Sequence, residues 1–266
     1  MANTSGTSLF NLEFTEIAEE AFERAGREMR TGYDLRTARR SMNLMTIEWA
    51  NRGLNMWTIE PGTITFTTGL NTYPLPVDTI DLLEQVIRTQ ANQAANQADL
   101  NITRISVSTY ATIPNKLAQG RPIQIWIQRY TGLTNATGAT LATTITDSDT
   151  QITLTSTDGL PAFGYINLGS ETIFYNYFTG NTLYNCFRAQ NNTTAAAHTT
   201  GATIYKQSLP AVTVWPTPDN AQSYQFVYWR LRRTQDAGNG VNVMDVPFRF
   251  IPCMAADRKS TRLNSS

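Results

Sequence analysis

Charge is scarce in this chain: Asp, Glu, Lys and Arg make up 16% of its 266 residues, and the 21 basic side chains balance the 21 acidic ones. A net charge of zero sets up no long-range field to attract nucleic acid or an acidic membrane. Histidine occurs once, as His198, in a Thr/Ala-rich stretch with no nucleophile or ligand pattern around it, and is expected to be solvated. Only two cysteines occur, Cys186 and Cys253. They fall in different predicted modules and are expected to be buried thiols rather than a disulfide. One His and two distant Cys argue against a His- or Cys-based zinc site. No GxSxG elbow, phosphate loop or dinucleotide fingerprint is present, so no cofactor is implied. Glu19 and Glu23 are a carboxylate pair, but on an exposed helical face; spacing alone does not test for two carboxyls across a hydrolase cleft. No apolar run is long enough to cross a bilayer, and Met1-Ala-Asn-Thr-Ser is no signal peptide. The expectation is a non-enzyme with no membrane partner.

What the chain does have is helical spacing near its start. Leu35, Ala38, Met42, Met45 and Trp49 alternate steps of three and four, which places them on one stripe. Asp34 is the expected N-cap, and Gly53 after Asn51-Arg52 the expected left-handed stop. An earlier segment, Thr15 to Arg27, carries a second stripe of Ile17, Ala21, Phe22, Ala25 and Met29, with Glu16, Glu19, Glu20 and Glu23 on its other faces. Two helices joined by a short connection are expected to pack antiparallel, stripe to stripe.

The remaining sequence is written for strands. Thr63-Ile-Thr-Phe-Thr alternates, and Tyr73-Pro-Leu-Pro marks a strand edge or end. Arg121 to Tyr130 puts Ile123, Ile125 and Ile127 on one face. Ala211 to Trp215 and Ser223 to Arg233 predict two strands around a Thr217-Pro-Asp-Asn220 turn. In the second, Tyr224, Phe226 and Tyr228 share one face and Val227, Trp229 and Leu231 the other, which predicts cover on both sides, by the helices or by another subunit.

From about Asn135 to Tyr205 the composition shifts to Thr, Ala, Asn and Gly. Short strand signals lie at Gln151–Thr155, Gly164–Leu168, Glu171–Tyr177 and Asn181–Tyr184, with turn dipeptides Gly169-Ser170 and Gly180-Asn181. Strand-like segments on either side make residues 135–205 an expected inserted β module. The expected organisation is α+β. N-terminal antiparallel helices (15–53) pack on a mostly antiparallel β region (60–134 and 206–256), so that 1–134 and 206–256 form one discontinuous core. The last ten residues, Asp257 to Ser266, break from the preceding pattern and match one translation frame of a common DNA-sequencing adapter. The native sequence is therefore expected to stop near Ala256, leaving Val246 to Ala256 as an element cut short.

Leu35-Arg-Thr-Ala-Arg-Arg40 through Trp49-Ala-Asn-Arg-Gly-Leu-Asn-Met-Trp57 resembles the head-to-tail adaptor of short-tailed phages, also called tail tubular protein A. Tyr73-Pro-Leu-Pro-Val-Asp78, Val214-Trp-Pro-Thr-Pro-Asp219, Tyr228-Trp-Arg-Leu-Arg-Arg233 and Val246-Pro-Phe-Arg-Phe250 fit the same pattern in order. Gly169-Ser-Glu-Thr-Ile173 and Thr193 to Thr203 are separately similar to small β modules of other phage structural proteins. The adaptor resemblance implies a virion protein at the head–tail junction, assembled in the host cytoplasm. It implies a dodecameric ring of copies of itself under the portal protein, a platform for the tail nozzle protein, and transient passage of double-stranded DNA. A C-terminal segment that docks into the portal is also implied, and the apparent truncation puts that docking in doubt. Such a ring closes by rotation, each subunit presenting two different surfaces.

Arg36, Arg39 and Arg40 are then candidate channel or subunit contacts, as are Arg230, Arg232 and Arg233 at a strand end. They could meet DNA phosphates or acidic residues of a neighbouring subunit; the alternative is a solvated helix face paired with Glu19, Glu20 or Glu23. A different class of function is also open: a receptor-binding or fibre-type virion protein whose inserted module recognises host glycan by stacking sugars on Tyr165, Tyr175, Tyr177 and Tyr184.

Overall fold

The computed structural model describes residues 10–54, 56–129, 134–236, 238 and 241–256. Tyr130 and the adapter-like tail after Ala256 lie outside the described residues. The fold is mixed α+β and mostly β, with two helices near the N-terminus and many antiparallel strands in several sheets. It divides into two compact units, Met1–Ile59 with Arg233–Ser266, and Glu60–Arg232.

The first unit is built on helices α1 (Phe14–Arg24) and α2 (Gly32–Asn51). Thr31, not Asp34, caps α2: its hydroxyl accepts the Asp34 N–H at 3.3 Å and donates to the Asp34 carboxylate at 3.0 Å. Asp34 thus sits in the first turn, where the Thr31 hydroxyl holds its carboxyl below the usual range. Gly53 has the left-handed φ of +80° expected of a stop. Around it Gly53 N–H bonds Ala50 C=O at 3.0 Å and Leu54 N–H bonds Trp49 C=O at 2.9 Å. Those two bonds satisfy carbonyls that the helix end would leave bare. Gly26 closes α1 in the same way, earlier than the spacing predicts, through Gly26 N–H to Glu23 C=O and Arg27 N–H to Phe22 C=O.

The apolar stripes meet in one core. Phe14, Ile17, Ala18 and Phe22 of α1 join Ala38 and Met42 of α2, with Leu35, Met45 and Trp49 partly buried against them. Met244, Ile251 and Met254 complete it. Residues 233–256, placed by the sequence with the β region, therefore belong with the helices. Val246 to Ala256 is a formed element: a 3-10 turn Phe248–Phe250 runs into a helix at 251–256. Phe250 packs between Trp49 and Trp57 at ring separations of 5.6 and 5.0 Å, and Trp57 donates to Asp245 C=O at 2.9 Å.

The second unit begins with two four-stranded sheets. One has the order Ile59–Thr65, Tyr224–Arg232, Thr79–Thr89, Ala98–Asn101; the other Thr72–Pro74, Ala211–Trp215, Gln124–Gln128, Thr103–Arg104. Both feed one core: Leu82, Ile87, Phe226 and Tyr228 come from the first, Tyr73, Ile125, Val212 and Val214 from the second. Gly62 lies where a Cβ would run into the Tyr228 ring, so only glycine fits there. Tyr73-Pro74 ends an edge strand, as its proline requires. The strands Ala211–Trp215 and Tyr224–Arg232 fall in different sheets, so the segment between them is a crossover and not a hairpin turn. Ile123 is exposed, because its strand starts one residue later, at Gln124. On Tyr224–Arg232 the Tyr224, Phe226, Tyr228 face is buried; on the other face Val227 is buried and Trp229 is 39% exposed, so cover from within the chain reaches Val227 and stops short of Trp229.

Residues 134–207 add a five-stranded antiparallel sheet, Phe187–Gln190, Glu171–Tyr175, Gly164–Leu168, Thr203–Gln207, Thr134–Thr140, and a small three-stranded one. Their core is their own, with Leu141, Ile152, Ile166, Ile173, Leu183 and Ile204 buried. Gly169-Ser170 and Gly180-Asn181 are two-residue hairpin turns, each glycine at positive φ in the first turn position. A second cluster of Tyr165, Phe174, Leu209 and Ala211 seats this layer on the strand Ala211–Trp215. That strand is therefore covered on both faces, Val212 and Val214 inward to the two-sheet core and Ala211 outward. Tyr165 donates to Pro210 C=O at 2.6 Å, and the buried Asn176 amide donates to Thr72 C=O at 2.8 Å.

Candidate functional site

Helix α2 has two faces. Leu35, Ala38, Met42, Met45 and Trp49 turn to the core, while Tyr33, Arg36, Arg40, Leu44 and Ile47 recur at steps of three and four on the opposite side. Tyr33, Leu44 and Ile47 are 68, 60 and 56% exposed. Arg36 and Arg40 are exposed and form no ion pair among the described residues. Neither meets Glu19, Glu20 or Glu23, so intrachain pairing does not account for them. Arg39 points to the side and donates to Gly238 C=O at 2.8 Å. Leu44 and Ile47 stand in register with Arg36 and Arg40, and that spacing is the sequence signal for an exposed second stripe on α2.

Within the same unit, α1 and the 248–255 stretch enclose a groove of about 630 Å³. Its floor is apolar, with Leu12, Ile17 and Ile251, and Phe10 and Phe248 stand exposed at its edge. Glu16, Glu19, Glu20 and Glu23 line it from α1, against the cations Arg24 and Arg249. Glu20 pairs with Arg24 at 2.6 Å, and Glu16 accepts the Glu13 N–H at 2.8 Å. Glu19 and Glu23 have no ion-pair partner among the described residues.

The C-terminal arginines are placed differently. Arg230 and Arg232 share Glu60, at 2.8 and 2.6 Å, and Arg230 also pairs with Asp78 and reaches the Thr79 hydroxyl at 3.1 Å. Both guanidiniums are 11% exposed. Their charge is committed inside the chain, tying the strand Tyr224–Arg232 to its neighbours. Arg233 follows that strand and is exposed.

A third cluster had no local signal. Glu171 is fully buried, gripped by Arg188 through two 2.8 Å contacts and by His198 Nε2 at 2.8 Å. It also accepts the Ala189 and Ala196 N–H groups, both at 3.2 Å. Burial alone would raise the Glu171 carboxyl; the Arg188 and His198 contacts and the two N–H groups overcome it and bring it down to about 2. Arg188 goes on to three carbonyls, of Thr146, Asp149 and Ala196. The expected solvated His198 is thus corrected: it is enclosed because its ring closes the shell around a buried charge. Side chains and backbone N–H groups of the module thus hold both Glu171 oxygens.

Of the tyrosines considered for sugar stacking, Tyr165 and Tyr175 are buried in the module and unable to reach a glycan. Tyr177 and Tyr184 stack on each other across a hairpin, centroids 5.2 Å apart. Cys186 is a buried free thiol pushed up to about 12 by its burial, whereas Cys253, expected inside, is free and exposed. Among the described residues no cluster of three or more His, Cys, Asp or Glu could hold a metal, and no helix is long and apolar enough to cross a membrane.

No family model, curated protein or solved structure matches this chain.

Proposed function

We propose that the chain is a phage virion protein, the ring-forming adaptor that links the portal to the tail nozzle at the head–tail junction and continues the DNA channel. The observation that carries this is the α2 segment. The stretch that resembles the adaptor, Leu35 to Trp57, holds most of helix α2, whose core face buries Ala38 and Met42 and packs Leu35, Met45 and Trp49 partly against them. Its opposite face nevertheless holds Arg36, Arg40, Leu44 and Ile47 in one exposed line. A subunit of a closed ring needs such a face, since it must contact a neighbour on each side through different surfaces. Zero net charge favours a conduit through which DNA slides without being held.

Arg36 and Arg40 are the cations available to a neighbour or to passing phosphates, Arg230 and Arg232 being held by Glu60 and Asp78. The glycan-binding alternative draws less support, because two of its four tyrosines are buried; the other two stack on each other, which leaves Tyr177 44% exposed.

Mixing the protein with the portal protein of the same genome and imaging the mixture by electron microscopy tests the proposal. A ring stacked on the portal is expected. A free trimer that binds glycan and ignores the portal would overturn it in favour of the adhesin.

A further inference from the structure

We propose that the exposed face of α2 in one copy seats in the acidic groove of the next copy, a head-to-tail pairing that rests on the ring reading above and specifies its interface. Both halves are present on the helical unit, and Arg36, Arg40, Glu19 and Glu23 form no ion pair among the described residues. The donor half is a narrow helical ridge in which Arg36 and Arg40 stand between Tyr33 on one end and Leu44 and Ile47 on the other. The acceptor half is an apolar trough of about 630 Å³ beside α1, with Glu19 and Glu23 one helical turn apart on its wall. Arg36 and Arg40 are separated by the same single turn, so the two cations match the two carboxylates in spacing as well as in sign.

The chemistry of the two halves is complementary throughout. Leu44 and Ile47 need an apolar seat, which Ile17, Ile251 and the edge ring Phe248 provide. Arginine suits carboxylates at an interface because its planar fork can hold both oxygens. Of the groove's own cations, Arg24 is paired with Glu20 and Arg249 lies over the Phe250 ring, 5.7 Å from its centroid. Like-to-like pairing of two α2 faces would instead set Arg36 and Arg40 against their own copies, which electrostatics opposes. Repeated around one axis such a contact closes a ring, whereas two copies that exchanged it reciprocally would form a two-fold dimer, which sedimentation velocity separates by size.

Two charge-reversed variants test the pairing: R36E/R40E, and E19R/E23R. All four positions lie on helix surfaces, and circular dichroism checks that each variant folds. Each variant alone is expected to self-associate roughly a hundredfold more weakly than wild type by sedimentation velocity, with or without portal protein. Mixed one to one, they should assemble again, because each acidic face then finds a basic groove and each basic face an acidic one. The milder variant E19Q/E23Q should weaken association without the repulsion. Groove variants that associate like wild type, or folded variants that fail to recover on mixing, would overturn the pairing while leaving the ring intact. A wild-type chain that stays monomeric both alone and with portal would overturn the ring reading and the pairing together.

Discussion

Two sets of glutamates separate the charges that fold this chain from those left for a partner. Glu171 in the β module is wholly buried, and Arg188, His198 and two backbone N–H groups account for its oxygens. Glu19 and Glu23 on α1 lie at the wall of an open groove with no ion-pair partner among the described residues. A buried carboxylate that lost its partners would be strongly destabilising, so evolution can place one only where the fold satisfies it. An exposed pair costs little to leave open, and so can be reserved for another molecule. Abundance of charge thus says little about use; enclosure decides it.

The contrast can be broken most severely at its buried end. Glu171→Ala leaves the Arg188 guanidinium, only 8% exposed, without its counter-charge, and should cost about 3–5 kcal/mol in urea unfolding. Acid should act on the same group. The carboxyl is held at about 2 when folded against an ordinary 4.5, so its contribution is complete above 4.5 and lost as pH falls from there toward 2. That loss should amount to about 3 kcal/mol, read as a fall in the unfolding midpoint that is smaller in Glu171→Ala, where Asp34, Asp81, Asp99 and Asp149 still contribute. Arg230→Ala should cost less, about 1–2 kcal/mol, because Glu60 and Asp78 are 41 and 32% exposed and rehydrate when released. At the exposed end, Arg36→Ala and Arg40→Ala should change unfolding stability by no more than about 0.5 kcal/mol. A larger loss would mean that these arginines hold the fold.

Where contacts are local, the sequence is legible. The α2 core stripe follows from the spacing of Leu35 to Trp49, and its stop from Gly53, because side-chain direction and cap geometry are decided within a turn or two. The Gly169-Ser170 hairpin is equally local. The N-cap was misplaced by three residues since Thr31 and Asp34 are both capping types, and the winner is fixed by which side chain reaches back to the other's N–H. The long strand Thr79–Thr89 goes unseen in the pattern. Asp81, Glu84, Gln85 and Arg88 interrupt its alternation, and two of them are there for ion pairs: Asp81 with Arg104 and Arg129, Arg88 with Asp99. Likewise no window around His198 contains Glu171, whose hairpin lies 27 residues earlier and meets it only after the sheet has folded. The sequence places residues 233–256 with the β region; packing of Ile251 and Met254 against α1 and α2 decides otherwise. For the candidate site, the three arginines of α2 were legible as cations on a helix. Their matching groove was not, since it is assembled from both ends of the chain.

The most direct test of reserved charge is self-association of the wild-type chain as salt is raised, followed by sedimentation velocity beside circular dichroism. Screening shortens from about 10 Å at 0.1 M to about 3 Å at 1 M salt, so exposed pairs lose their attraction while enclosed ones keep it. Assemblies should dissociate over that range with the folded signal intact. Association that holds or strengthens as salt rises would contradict a seat made by Arg36 and Arg40 on Glu19 and Glu23.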